Sequence, residues 1–88
     1  PVPALILPPT CDRASTIALY PDLCEGLGAV PLTLDASKVE RIGQTMLQVL
    51  ASAARSEGGI SVQNPSEPFL AALKLSGLEA IVMDGANA

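Results

Sequence analysis

The sequence predicts an α/β fold: a four-stranded mixed sheet with helices packed mainly on one face. Three observations lead there. Short apolar runs alternate with longer segments of helical periodicity, in the order strand, helix, strand, helix, strand, helix, strand. That alternation favours parallel neighbours linked by right-handed crossovers. Glycine, proline and helix-capping residues fall at the joints between the runs. Finally, 49% of the 88 residues are apolar, which supplies a continuous core to a chain that buries only about 60–65% of its unfolded surface. Residues 1–88 read as one small domain, with no repeat, low-complexity tract or linker.

The first apolar run, Val2 to Leu7, predicts a strand over 4–7 that Pro8 and Pro9 end. Asp12 is the best helix N-cap in the segment that follows. Residues 13–26 suit a helix whose inner face would use Ile17, Leu19, Tyr20, Leu23, Cys24 and Leu27. Pro21 interrupts it, so either one helix is kinked there or a turn precedes a helix restarting near Tyr20. Gly26 and Gly28 stop it. Val30 to Ala36 predicts a strand with Leu32 and Leu34 on one face, and residues 37–42 form a connection.

The helix over 44–56 has the clearest periodicity. Met46, Leu47, Leu50, Ala53 and Ala54 fall on one face, with Gln48, Ser52, Arg55 and Ser56 toward water. Gly58 and Gly59 end it, and Ile60 to Gln63 alternates as a third strand. Asn64-Pro65-Ser66 makes a turn in which Ser66 caps the next helix, Pro68 is tolerated in its first turn, and Phe69, Leu70 and Leu73 line it up to Gly77. Ala80 to Met83 predicts a short last strand, and 84–88 a frayed tail.

This order gathers three strand-to-helix loops, 8–12, 37–45 and 64–66, at the C-terminal edge of the sheet. Ligand and partner sites on open α/β sheets favour that edge. Thr45 is the hydroxyl in the first turn of the main helix. It can bond back to the backbone, or serve as a phosphorylation site favoured by the helix dipole.

Composition excludes several functions. There is no His, so Ser-His-Asp and Cys-His catalysis are ruled out, and two cysteines make no zinc set; no metal, cofactor or catalytic residue is assigned. Asp12, Asp35 and Glu40 read as solvated charge rather than paired acid and base. Cys11 and Cys24 read as reduced thiols, with Cys24 toward a core; a depressed pKa for Cys11, beside Asp12 and Arg13 at a helix start, is the minor reading. A net charge of -4, scattered basic residues and a near absence of aromatics disfavour nucleic acid. No apolar run approaches the ~18 residues of a membrane span, and no signal-peptide pattern is seen, so membrane insertion is not expected and a cytoplasmic location is.

The run Leu32 to Val39 (Leu-Thr-Leu-Asp-Ala-Ser-Lys-Val), the helix Leu47 to Arg55, and Gly58 to Ser66 (Gly-Gly-Ile-Ser-Val-Gln-Asn-Pro-Ser) together resemble the STAS domain, the fold of bacterial anti-sigma-factor antagonists. Phe69 to Val82 resembles the family's closing helix and final strand, and only one strand precedes the first helix where the family usually has two. The family's loop usually reads Asp-Ser-Ser-Gly or Asp-Ser/Thr-x-Gly, its first hydroxyl being the phosphorylation switch. Here Gly43-Gln44-Thr45-Met46 stands in its place, so an amide occupies the switch position. The resemblance implies a non-enzymatic protein-binding module of signal transduction. It implies a protein partner: a histidine kinase of a chemotaxis pathway, an anti-sigma kinase, or the ATPase of a lipid-transport ABC system. The pattern is most similar to small STAS proteins of alphaproteobacterial chemotaxis clusters. The expected partner-binding residues are Asp12, Ser37, Gly43, Gln44, Thr45, Gln48 and Ser66. A small enzyme or ligand-binding α/β domain is the alternative of a different class, and a deep pocket with converging polar groups would favour it.

Overall fold

A computed structural model describes residues 4–84. Along the chain these form β1 (Leu5–Ile6), β2 (Thr10–Cys11), α1 (Arg13–Gly26), β3 (Leu32–Asp35), β4 (Arg41–Ile42), α2 (Gln44–Ala54), β5 (Ile60–Gln63), α3 (Glu67–Ser76) and α4 (Glu79–Asp84). The main sheet has the order β1-β3-β5, and β2 pairs with β4 in a second, two-stranded sheet. Every pairing is parallel. The protein is thus an α/β fold with three plus two parallel strands, not the four-stranded mixed sheet that the sequence pattern predicts.

Strand order in the main sheet follows chain order, so right-handed crossovers carry α1 and α2 to the same face. Register sorts the side chains accordingly. Leu5 lies opposite Leu34, Leu32 opposite Ile60, and Leu34 opposite Val62. These join the core cluster with Leu23, Met46, Leu50, Phe69, Leu73 and Val82 from the helices. The other face carries Ile6, Thr33, Asp35, Ser61 and Gln63, none of them buried. The polar alternation of β3 and β5 is what lets one side of a parallel sheet face solvent, where such sheets are usually covered on both sides. Full burial of a Leu50 or Met46 side chain is worth about 1.5–3 kcal/mol, so α2 is the chief anchor of the helical layer.

Local capping explains the boundaries. Asp12 accepts from the Ser15 N–H at 2.8 Å and starts α1. Pro21 sits inside one continuous helix. The carbonyl it leaves without an i+4 donor belongs to Ile17, on the exposed side of the helix, where water can bond it. The inner face of α1 differs from the expected one: Thr16 and Leu23 are buried, Leu19 and Leu27 partly so, and Ile17, Tyr20 and Cys24 are exposed. The weak apolar periodicity of this segment fits more than one rotation, and packing against α2 selects among them. In α2 the expected inner residues Met46, Leu47, Leu50, Ala53 and Ala54 are all buried, together with Ala51.

The closing strand expected over 80–83 is instead the helix α4. Gly77 adopts φ 76°, its N–H reaching Lys74 at 3.2 Å while the Leu78 N–H reaches Leu73 at 3.0 Å. This paired 5→2 and 6→1 termination of α3 reverses the chain and starts the next turn. The Val82 N–H then bonds Leu78 at 2.9 Å, and both side chains meet the core at i, i+4 spacing. A four-residue apolar run carries either period, and the i, i+4 contacts with the core are those of the helical one. Of the tail expected over 84–88, Asp84 ends α4 and the rest lies outside the described residues.

Candidate functional site

The three loops expected at the C-terminal edge do meet there, and backbone hydrogen bonds show how. The Pro9 carbonyl accepts from the Glu40 N–H (2.7 Å) and the Arg41 N–H (3.0 Å), and the Cys11 carbonyl from the Gly43 N–H (2.9 Å). Thr10 lies opposite Arg41 and Cys11 opposite Ile42. The connection read over 37–42 therefore ends in a strand, β4, stitched to the 8–12 loop. The third loop closes underneath: the Ser66 N–H donates to Ala36 at 3.2 Å, and the Ser66 hydroxyl donates to the Val39 carbonyl at 2.6 Å. Val39 is buried although it sits among exposed Lys38, Glu40 and Arg41. That single apolar residue in a charged stretch was the sequence signal that the connection folds back onto the body.

This platform fixes the start of α2. Gly43 is its N-cap and offers no side-chain cap. The first intrahelical bond runs from the Leu47 N–H to the Gly43 carbonyl at 3.1 Å. The N–H groups of Gln44, Thr45 and Met46 thus have no carbonyl four residues back, and the partial positive charge of a helix start is not offset by an acidic residue in the first turn. Gln44, Thr45 and Gln48 are all exposed, and among the described residues the Thr45 hydroxyl has no hydrogen bond. The back-bonding reading of Thr45 is not what this structure holds.

The remaining expected residues divide differently. Asp12 is exposed and its carboxylate is engaged at the α1 cap, where the hydrogen bond from the Ser15 N–H holds it below the usual carboxylate range. Ser37 is exposed; its N–H donates to Asp35 at 2.9 Å. The Asp35 carboxyl is lowered by that N–H, by the Ser37 hydroxyl and by the charge of Lys38. Ser66 is half-buried and its hydroxyl is occupied within the fold both as donor and as acceptor, since its oxygen also accepts from the Phe69 N–H at 3.3 Å. It belongs to the scaffold of the site rather than to its exposed surface.

The core position read for Cys24 is held by Cys11 instead. Cys11 is buried and donates to the Pro8 carbonyl at 3.3 Å, whereas Cys24 is exposed. Burial, then the neighbouring Asp12 charge, push the Cys11 thiol up to about 11, so it is less reactive than a free thiol, not more. A shallow groove between β1 and α1, about 280 Å³, is lined by Ile6, Pro8, Ser15, Ala18 and Leu19. Its one polar side chain, Ser15, already donates to the Thr10 carbonyl at 2.8 Å.

Chemically, the edge offers main-chain donors, a side-chain amide and a hydroxyl on a braced platform, groups able to hydrogen-bond an acceptor that carries negative charge. Comparison with protein-family models, with characterised proteins and with solved structures gives no match.

Proposed function

We propose that the chain is a non-enzymatic, STAS-type protein-binding module of bacterial signal transduction, acting through a partner kinase in a chemotaxis pathway, with Gln44 in place of the phosphorylatable hydroxyl. The observation that carries this reading is the first turn of α2. Gln44, Thr45 and Gln48 stand exposed beside uncapped N–H groups, at the edge where three loops converge on one platform. The family part of the reading rests on the pattern from Leu32 to Ser66, because the closing segment is helical. A partner carboxylate set at this helix start gains from the dipole and the free donors. Gln44 supplies directional hydrogen bonds but takes no phosphate, so the module stays in one signalling state.

The test starts with capture of partners from the native cell extract, followed by calorimetry with the recovered kinase. Gln44→Glu and Thr45→Glu keep the fold, since acidic groups suit a helix start, and weaken binding through like-charge repulsion. Arg55→Ala and Glu57→Ala, exposed beyond the other end of α2, leave it unchanged. The opposite pattern places the interface elsewhere. Intact mass after incubation with that kinase and ATP stays constant; a phosphate mapped to Thr45 would mean that the switch has moved by one residue.

A further inference from the structure

Among the described residues, the side-chain hydrogen bonds join residues at most five apart in sequence, with one exception: Ser66 to Val39, which spans 27. We propose that Ser66 is a latch, a positioning residue whose hydroxyl holds the 36–43 arm in the conformation that presents the first turn of α2.

A helix cap alone needs only an oxygen that accepts, and Ser66 provides one to the Phe69 N–H. Its proton goes the other way, to the carbonyl of Val39, midway along the arm. The Ser66 N–H adds a second tie, to Ala36 at the base of the arm. Both ends of the turn from Ala36 to Val39 are therefore held by one residue. Asn64 makes the placement possible: its φ of 52° lies in the left-handed region that Asn tolerates, and it turns the chain out of β5 so that Ser66 sits against the arm.

What lies beyond Val39 depends on this. Glu40, Arg41 and Gly43 give their N–H groups to Pro9 and Cys11, and Gly43 is also the N-cap of α2. With the hydroxyl present, the line from α3 through the arm to β2 and α2 is closed. Without it, the Val39 carbonyl loses its partner in a partly buried setting, and a buried acceptor left unpaired is more costly than a hydrogen bond merely exchanged for water. The latch concerns the arm itself; only its effect on partner binding rests on the reading proposed above.

The cap and the latch separate by substitution. Ser66→Asp keeps an excellent cap but can only accept, so it turns its charge on the Val39 carbonyl. Ser66→Gly caps nearly as well and removes the hydroxyl without adding charge. Ser66→Thr keeps both functions. Amide hydrogen exchange on the whole chain reads the result. With Ser66→Asp and Ser66→Gly, exchange at Val39, Glu40, Arg41 and Gly43 should quicken roughly five- to tenfold while Leu32 and Ala51 keep their wild-type rates. Ser66→Thr should match wild type throughout. The latch is overturned if the arm amides keep their rates in both hydroxyl-free variants, if all amides quicken together, or if Thr fails as badly as Gly. If the arm loosens but calorimetry with the captured kinase gives unchanged affinity, the latch stands and the partner surface is elsewhere.

Discussion

Gly58 and Gly28 offer a matched pair of substitutions at the N-terminal edge of the sheet. A Cβ at Gly58 would overlap the carbonyl oxygens of Gly28 and Val30 and lie 2.7 Å from the Val30 carbonyl carbon. All three are main-chain atoms, so no rotamer change relieves the clash. The loop before β3 and the turn before β5 must separate by roughly 1 Å to restore ordinary contact. That movement pulls on the Leu32 N–H, which donates to Gly59 at 3.0 Å and opens the β3–β5 ladder. Overpacking of this kind costs ~1–3 kcal/mol, and the unyielding backbone puts Gly58→Ala at the upper end. In a domain of this size ~2–3 kcal/mol lowers Tm by about 10–20 °C. Gly28→Ala meets nothing within 4 Å and should melt within a few degrees of wild type. Thermal unfolding followed by circular dichroism, with urea midpoints as a check, compares the two. A Gly58→Ala protein that melts with wild type, or a Gly28→Ala protein that falls equally far, would refute the close approach. The lesion lies at the opposite edge from the candidate site, so partner binding by the folded fraction should be unaffected.

Leu50→Asp places a carboxylate at a fully buried position of α2 and should abolish cooperative unfolding, since burying an unpaired charge costs several kcal/mol against the ~4–13 kcal/mol expected of an 88-residue domain; a wild-type melting curve would disprove the core assignment. Cys11 is raised from its ordinary 9.0 to about 11. Its contribution to stability is therefore full below pH 9 and is lost as pH rises toward 11, a limb that Cys11→Ala should flatten in urea titrations. Alkylation of the native protein near neutral pH, read by mass spectrometry, should label Cys24 alone and reach Cys11 only after unfolding. The Asp12 carboxyl is lowered in the fold, so the stability it adds is present above its unfolded pKa and lost as pH falls through its folded value. Asp12→Asn should keep the α1 cap at neutral pH and make the acid limb shallower; an unchanged limb would show that the cap bond is not formed in solution.

Much of the architecture was legible along the chain because it depends on local chemistry. Asp12 and Ser66 cap helices by accepting from an N–H three residues on, which the residue type alone announces. The apolar positions of α2 recur at helical spacing densely enough to name its buried face residue by residue. Gly77, with Lys74 in the last turn before it, signals the end of α3. The alternation of strands and helices, with right-handed crossovers, is enough to bring three loops to one edge.

Tertiary structure decided what local pattern leaves degenerate. The Ala80 to Met83 run fits a strand or a helix, and the α3 terminus at Gly77 together with the i, i+4 contacts of Leu78 and Val82 settled it as α4. The rotation of α1 depended on its packing against α2, which buried Thr16 and turned Ile17, Tyr20 and Cys24 outward. Pairing of Thr10–Cys11 with Arg41–Ile42, and the hydrogen bond from Ser66 to Val39, join segments about thirty residues apart. Two-residue strands carry no periodicity, and a serine hydroxyl looks the same whether it faces water or a distant carbonyl. Sequence determines which groups can donate, accept or avoid water; only the folded chain determines which of them meet.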